Sequence, residues 1–248
     1  MMPGPPEPPT GAPTRYFFCH LQKTAGTSLI VRLQRHFGET AVYPNISDGE
    51  PVDRVIAIPH LLARWKARGH QIRLVTGHFP LCTTELLGGK FTTFTVLREP
   101  VERTLSQLRH RRRTLRLDRQ VPLETLYANH LQFHGLIHNH MVKMLALTTE
   151  EMTHGALTRT PFTQVHLERA KARLREVNVV GVCAQFEQFC DRLQTELGLN
   201  LGASVRVNRT EPEDVPEAFR RRIADDNALD VELYDAACAM TGVAGERR

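Results

Sequence analysis

The chain has 248 residues, 41% of them hydrophobic and 24% charged, which suits one sizeable domain with its own core and excludes a disordered or fibrous protein. Lys and Arg number 32 against 27 Asp and Glu, a net charge of +5 that favours anionic ligands: nucleotide, sulfated glycan, nucleic acid or acidic membrane. The cysteines (Cys19, Cys82, Cys183, Cys190, Cys238) are odd in number, form no CxxC and sit in apolar runs, so they read as reduced core residues rather than a disulfide framework or metal site. No stretch approaches the ~20 apolar residues of a membrane span, and the first residues carry neither a basic n-region nor an apolar h-region. A soluble, cytoplasmic protein is expected.

Residues 1–14 hold six prolines and two glycines and read as a disordered lead-in, with one folded domain over 15–241 and a frayed tail at 242–248. The apolar run Tyr16–Cys19 predicts a buried strand, and helical periodicity begins at Leu29 and Ile30, running to His36 or Phe37 before Gly38. Between them lies Gln22-Lys23-Thr24-Ala25-Gly26-Thr27-Ser28: a tight loop with a lysine, a glycine that lets backbone approach a ligand, and two hydroxyls where a helix starts. Free amides and the positive end of the helix dipole make such a loop an anion site suited to phosphate. It is not the nucleotide loop GxxxxGK[ST], because Lys23 precedes Gly26. An ordinary turn is the alternative.

Residues 39–55 read as loop with a possible short strand, and a helix from Pro59 ends at Gly69. Gln71–Thr76 is a second strand, followed by Gly77 and His78 at the end where ligands bind in open α/β sheets. A histidine there suits a general base, or equally a capping residue. The strand Phe91–Leu97 leads into Arg98 and a helix opening at Pro100. Arg98 and Ser106, about two turns into that helix, could clamp a phosphate; an ion pair of Arg98 or Arg103 with Glu99 or Glu102 is the alternative. The run Arg109–Arg119 has seven basic residues and could grip an anionic acceptor, or be a solvated helix end. No aromatics interleave it, which disfavours single-stranded nucleic acid.

His130, His134 and His138 recur every four residues and could share a helical face, but no carboxylate or thiolate completes a metal set. Phe162–Glu176 is an amphipathic helix, Asn178–Val182 a buried strand, Phe186–Leu197 a helix closed by Gly198, Val205–Thr210 a short strand or loop, and 216–241 the closing helices.

Two segments carry a resemblance. The loop Lys23-Thr24-Ala25-Gly26-Thr27-Ser28 after a strand resembles the 5'-phosphosulfate loop of sulfotransferases that use 3'-phosphoadenosine 5'-phosphosulfate (PAPS). Thr95–His110, TVLREPVERTLSQLRH, is similar to their 3'-phosphate motif, in which Arg and Ser eight positions apart hold the phosphate that marks PAPS. The chain over about 15–241 thus resembles the carbohydrate-type sulfotransferases that include the heparan sulfate O-sulfotransferases and soluble bacterial relatives. Gly77-His78-Phe79, Asn139–Ala146, the unit Leu167–Leu193 and Asn227–Ala237 are similar to further segments of that family, whereas Ala184-Gln185 departs from a Thr-Glu common there.

The resemblance implies a P-loop-like three-layer α/β fold with a central, mainly parallel sheet. It implies PAPS as donor, 3'-phosphoadenosine 5'-phosphate (PAP) as product, no required metal, and a hydroxyl acceptor on a carbohydrate or glycoconjugate, with no nucleic acid partner. The implied site is Lys23 and His78 as catalytic residues, with Lys23, Thr24, Gly26, Thr27, Ser28, Arg98, Ser106 and Arg209 binding the nucleotide; Asn139–Ala146 would lie near acceptor and cofactor. The other reading is a P-loop-like kinase or nucleotide-binding protein, which should carry GxxxxGK[ST] and an acidic strand end for Mg²⁺; neither is evident. A nucleotide-fold binding module without chemistry would be marked by loss of Lys23 or His78, and both are present.

Overall fold

The computed structural model describes residues 14–203 and 213–243. In chain order its elements are β1 (Arg15–Cys19), α1 (Gly26–Phe37), β2 (Val42–Tyr43), α2 (Pro51–Ile56), α3 (Ile58–Arg68), β3 (Leu74–Val75), α4 (Thr83–Leu87), β4 (Phe91–Leu97), α5 (Pro100–Thr114), α6 (Leu123–Tyr127), α7 (His130–Gln132), α8 (His140–Ala146), α9 (Gln164–Glu176), β5 (Val179–Val182), α10 (Phe186–Leu197), α11 (Glu217–Asp226) and α12 (Ala228–Thr241). The five strands form one parallel sheet in the order β2-β3-β1-β4-β5. Helices cover both faces, which is the expected three-layer α/β fold.

Strand β1 shows why. Its alternate side chains point to opposite faces, and every one is apolar from Tyr16 on, so both faces must be covered. Phe17 and Cys19 join a core with Leu61 of α3, Met141 and Leu145 of α8, Leu167 and Leu174 of α9, and Leu233 of α12. Tyr16 and Phe18 join the opposite core, with Leu29 and Leu33 of α1, Phe94 and Val96 of β4, and Phe189 and Leu193 of α10. A third cluster packs α5 against α6 and α11 through Val101, Leu105, Leu108, Tyr127, Phe219 and Ile223.

The order of strands fixes the position of the site. From β1 the chain moves outward through β2 and returns through β3, then crosses to the other side of β1 as β4 and β5. β1 is therefore the switch point, and the crevice beyond its C-terminal end is where an open α/β sheet binds ligand. The register Phe17↔Val75 and Cys19↔Thr95 brings the ends of β3 and β4 level with the loop that leaves β1.

The strand expected over 71–76 is assigned only at Leu74–Val75, although Arg73 N–H to Ala41 O (2.8 Å) and Thr76 N–H to Tyr43 O (2.7 Å) continue the pairing at both ends. The segment 39–55 contains the anticipated short strand as β2 and, beyond that expectation, most of helix α2, whose Pro51 sits in the first turn. The segment Val205–Thr210, the lead-in up to residue 13 and the tail from 244 lie outside the described residues.

Behind the cleft, α5 and α8 are joined by buried charge. Arg103 donates to the carbonyls of Leu136 (3.2 Å) and Ile137 (2.9 Å), while Lys143 donates to those of His134, Gly135 and Thr158. Asp230 of α12 accepts the amides of Met141 (3.1 Å) and Val142 (2.8 Å), and Asn139 is bound to Asn227 and Asp230. The Asn139–Ala146 segment thus braces the core rather than lining the cleft. Asp230→Ala leaves two helix amides and the Arg103 charge uncompensated, so urea denaturation should read a loss of about 3–5 kcal/mol.

Candidate functional site

A cleft of about 790 Å³ opens at the C-terminal end of the sheet. It is lined by the β1 loop (His20, Gln22, Lys23, Ala25, Gly26, Thr27, Ser28), by His78 after β3, by Arg98 after β4, and by one face of α5. Cys183, Ala184 and Tyr234 close its far side.

The β1 loop is held from within. The hydroxyl of Thr24 donates to Leu21 O (2.8 Å), and Ser28 N–H and Leu29 N–H turn back to Ala25 O. Lys23 (φ 69°) and Ala25 (φ 63°) both lie in the left-handed region, a cost of roughly 1–2 kcal/mol per residue for side-chain-bearing residues. Such strain is retained where surrounding structure fixes it and clusters at functional sites. The result is a helix whose N-terminus meets the cleft with no side chain capping it and no acidic residue in its first turn. The amides at the start of α1 are open to an anion.

The second helix start at the cleft is closed. Glu99 caps α5, its carboxylate accepting Val101 N–H (3.0 Å) and Glu102 N–H (2.7 Å). Only the α1 end among these two offers free amides.

Lys23, Gly26, Thr27, Ser28, Arg98, Ser106 and His78 all line the one cleft. Thr24 does not: it is fully buried with its hydroxyl spent on Leu21, so it shapes the loop instead of facing a ligand. Arg209 lies outside the described residues. Arg98 donates to Lys23 O (3.2 Å) and stands 3.8 Å from Glu102, so the ion pair posed as the alternative to a phosphate clamp is present beside it. Arg103, the other arginine in that alternative, is wholly buried.

The tautomer of His78 is set by its neighbour. Its Nδ1 lies 3.1 Å from His20 O, and a carbonyl can only accept, so Nδ1 carries the proton and Nε2 keeps its lone pair. Burial, with Lys23 and His110 nearby, lowers its pKa to about 4 despite the opposing pull of the bond to His20 O, so the ring is neutral at pH 7. Lys23 is also held below the usual lysine range, first by burial and then by Arg113 and Arg98. An anion in the cleft would relieve these repulsions.

The basic run is divided by helical geometry. Glu102, Ser106, His110 and Arg113 recur at intervals of three and four and line the cleft together with Arg111. Arg109 and Arg112 point elsewhere, onto Glu213, and Arg112 (2.7 Å) is almost fully buried there while also holding Arg119 O and Val121 O. The solvated helix end anticipated as an alternative is therefore neither fully exposed nor free of ligand-facing residues.

His130 and His134 stack edge to face at 4.3 Å between ring centroids, but His138 packs on Phe133 and its Nε2 meets Asn139 Nδ2 (3.1 Å). A π-helical turn at Phe133–Ile137 breaks the regular four-residue repeat. Among the described residues no group of three His, Cys, Asp or Glu side chains is placed to hold a metal. Four of the five cysteines are buried, and Cys183 reaches the cleft wall.

Sequence reasoning missed His20, Gln107 and Tyr234. The first lies beside the recognised loop and was within reach of local reading; Tyr234 arrives from the last helix and carries no local signal.

No protein-family model matches the chain, and no curated protein matches it. Among solved structures, the crystal structure of a sulfotransferase from Alicyclobacillus acidocaldarius aligns with a TM-score of 0.52 and 14% sequence identity, over 94% of this chain and 98% of that one. The chain has a P-loop-like α/β fold of the kind seen in that sulfotransferase. No helix among the described residues is long and apolar enough to cross a membrane.

His20, His78 and His140 are all held neutral by burial, and both ring nitrogens of His140 lack a partner. With folded-state pKa values depressed below 6.5, the unfolded chain binds more protons than the folded one as pH falls. Stability should therefore be full above about pH 6.5 and fall toward pH 4 in urea titrations. His140→Leu should flatten that slope.

Proposed function

We propose that the protein is a PAPS-dependent sulfotransferase that transfers the sulfuryl group to a hydroxyl of a carbohydrate or glycoconjugate. The observation that carries this reading is the joint placement, in one cleft, of an uncapped helix N-terminus with Lys23 and a neutral histidine whose Nε2 lone pair is free. The shared fold with a known sulfotransferase supports it.

The residues present fit the nucleotide. The open amides of Gly26 and Thr27, with Lys23 and the hydroxyls of Thr27 and Ser28, suit the 5'-phosphosulfate, and Arg98 with Ser106 suits the 3'-phosphate. When bound, PAPS supplies a sulfuryl group on a stable phosphate leaving group, so the chemistry requires no metal. Arg209 is a further phosphate contact in this reading.

His78 Nε2 takes the proton from the acceptor hydroxyl as that oxygen forms its bond to sulfur. Lys23 and the α1 amides stabilise the negative charge that grows on the bridging oxygen as the sulfur–oxygen bond to phosphate breaks and its electron pair departs with the nucleotide. Arg98 and Ser106 fix the nucleotide so that entering and leaving oxygens lie in line. Arg111, Arg113 and His110 border the space left for the acceptor.

Calorimetric titration with PAP beside ADP, ATP and AMP, with and without Mg²⁺, tests the reading. Selective binding that needs the 3'-phosphate and no metal is expected; a preference for ATP with Mg²⁺ would replace it with the kinase-like reading. His78→Ala should lower kcat by ~10²–10⁴, and Lys23→Ala by roughly 10²–10³. Ser106→Ala should weaken PAP binding by ~1.5–3 kcal/mol, the worth of a hydrogen bond to a charged group.

A further inference from the structure

His20 stands where β1 gives way to the loop. Its carbonyl orients His78, but its side chain has a separate placement. The ring is 7% exposed, stacks on Phe18 (centroids 5.0 Å apart, planes at 12°) and lies 4.4 Å from the His78 ring. Its other edge is set against Gly26: a methyl built there would fall 1.8 Å from Nε2 and 2.2 Å from Cδ2. Nε2 is thereby fixed beside the first residue of α1, where the uncapped amides converge, and His20 contributes to the cleft wall. Nδ1 is buried with no hydrogen-bond partner.

Burial, then His78 and Lys23, keeps this imidazole neutral, so it has one N–H to place. With an oxyanion seated on the α1 amides, a proton on Nε2 meets that anion. The same choice leaves the buried Nδ1 as an unpaired acceptor rather than an unpaired donor. The two adjacent imidazoles then take opposite tautomers: His78 presents a lone pair to the cleft and His20 an N–H.

We propose that His20 is a further catalytic residue, donating a hydrogen bond from Nε2 to a sulfuryl oxygen beside Lys23. This rests on the sulfotransferase reading above. His20 gains and loses no proton; the acceptor's proton goes to His78, and the electron pair of the broken sulfur–oxygen bond leaves with the phosphate. Gly26 follows from the same geometry, since a side chain there would push the donor away.

The test begins with nuclear magnetic resonance of the ¹⁵N-histidine-labelled wild-type protein. In the PAPS complex, His20 should be the neutral Nε2–H tautomer, with an Nε2 resonance that differs from that in the PAP complex. His20→Phe keeps the stacked ring and removes the donor: kcat should fall roughly 10²–10³-fold while the PAPS KM and the PAP Kd change less than about 3-fold. His20→Gln, whose amide can reach the Nε2 position, should recover at least about 10-fold of that loss. An Nδ1–H tautomer in the PAPS complex, an Nε2 resonance indifferent to the sulfuryl group, or wild-type turnover by His20→Phe would overturn the proposal. Absence of PAP binding to the wild-type protein would instead sink the sulfotransferase reading, and this role with it. PAP binding with PAPS turnover unchanged in His20→Phe removes only the role of His20.

Discussion

The site depends on one constraint, the refusal of the β1 loop to cap its own helix. An α-helix leaves its first amides without partners, and most helices satisfy them with a nearby Ser, Thr, Asp or Asn. Here the residue in that position is Ala25, in a left-handed conformation, and the nearest hydroxyl before the helix, Thr24, is turned inward to Leu21 O. The amides of α1 are thus left for a ligand, and the strain at Lys23 and Ala25 is what keeps them so. The contrast with α5 is direct: Glu99 occupies its N-terminus, so an anion there would have to displace a carboxylate already bound to two amides.

Everything else is arranged around that opening by sheet order. With β1 central and β3 and β4 on either side, the residues after each strand converge without any of them being near in sequence. Arg98 joins the loop by donating to Lys23 O, and His78 joins it through His20 O, so the histidine and the arginine are each tied to the same short segment. Relative positions of His78, Arg98 and the open amides are therefore set by backbone carbonyls rather than by flexible side-chain pairs.

Much of this could be read from the residues. The apolar runs of β1, β4 and β5 and the periodicities of α1, α5, α9 and α10 lie close to where patterning put them, because buried parallel strands and amphipathic helices impose strong local signals. Lys23, Gly26, His78 and Arg98 lie at strand ends or helix starts, where fold rules concentrate ligand contacts, and Ser106 lies about two turns into the helix that follows Arg98. What escaped was non-local. Thr24 looks like a ligand residue until its hydroxyl is seen to close the turn, and the segment Asn139–Ala146 shows its bonds to Asn227 and Asp230 only in the fold. The short helices α2 and α4 lack the length for a periodicity, and the basic run of α5 needed a helix to split it into a cleft-facing and a Glu213-facing set.

The buried charges of α5 and α8 bear on how the cleft attracts its ligand. Arg103 is sealed from solvent one helix face away from Ser106, and its hydrogen bonds go to carbonyls, including that of Leu136 in the cleft wall; Asp230 is the carboxylate whose charge opposes it. Mobile ions screen exposed charges over about 8–10 Å but reach buried ones poorly. Asp230 offsets the Arg103 charge, so the positive potential over the cleft originates chiefly in the exposed and half-buried cations of its wall, Lys23, Arg98, Arg111 and Arg113. Anion capture is therefore the work of an atmosphere of wall cations that salt can screen, while the buried charges serve to hold that wall in place.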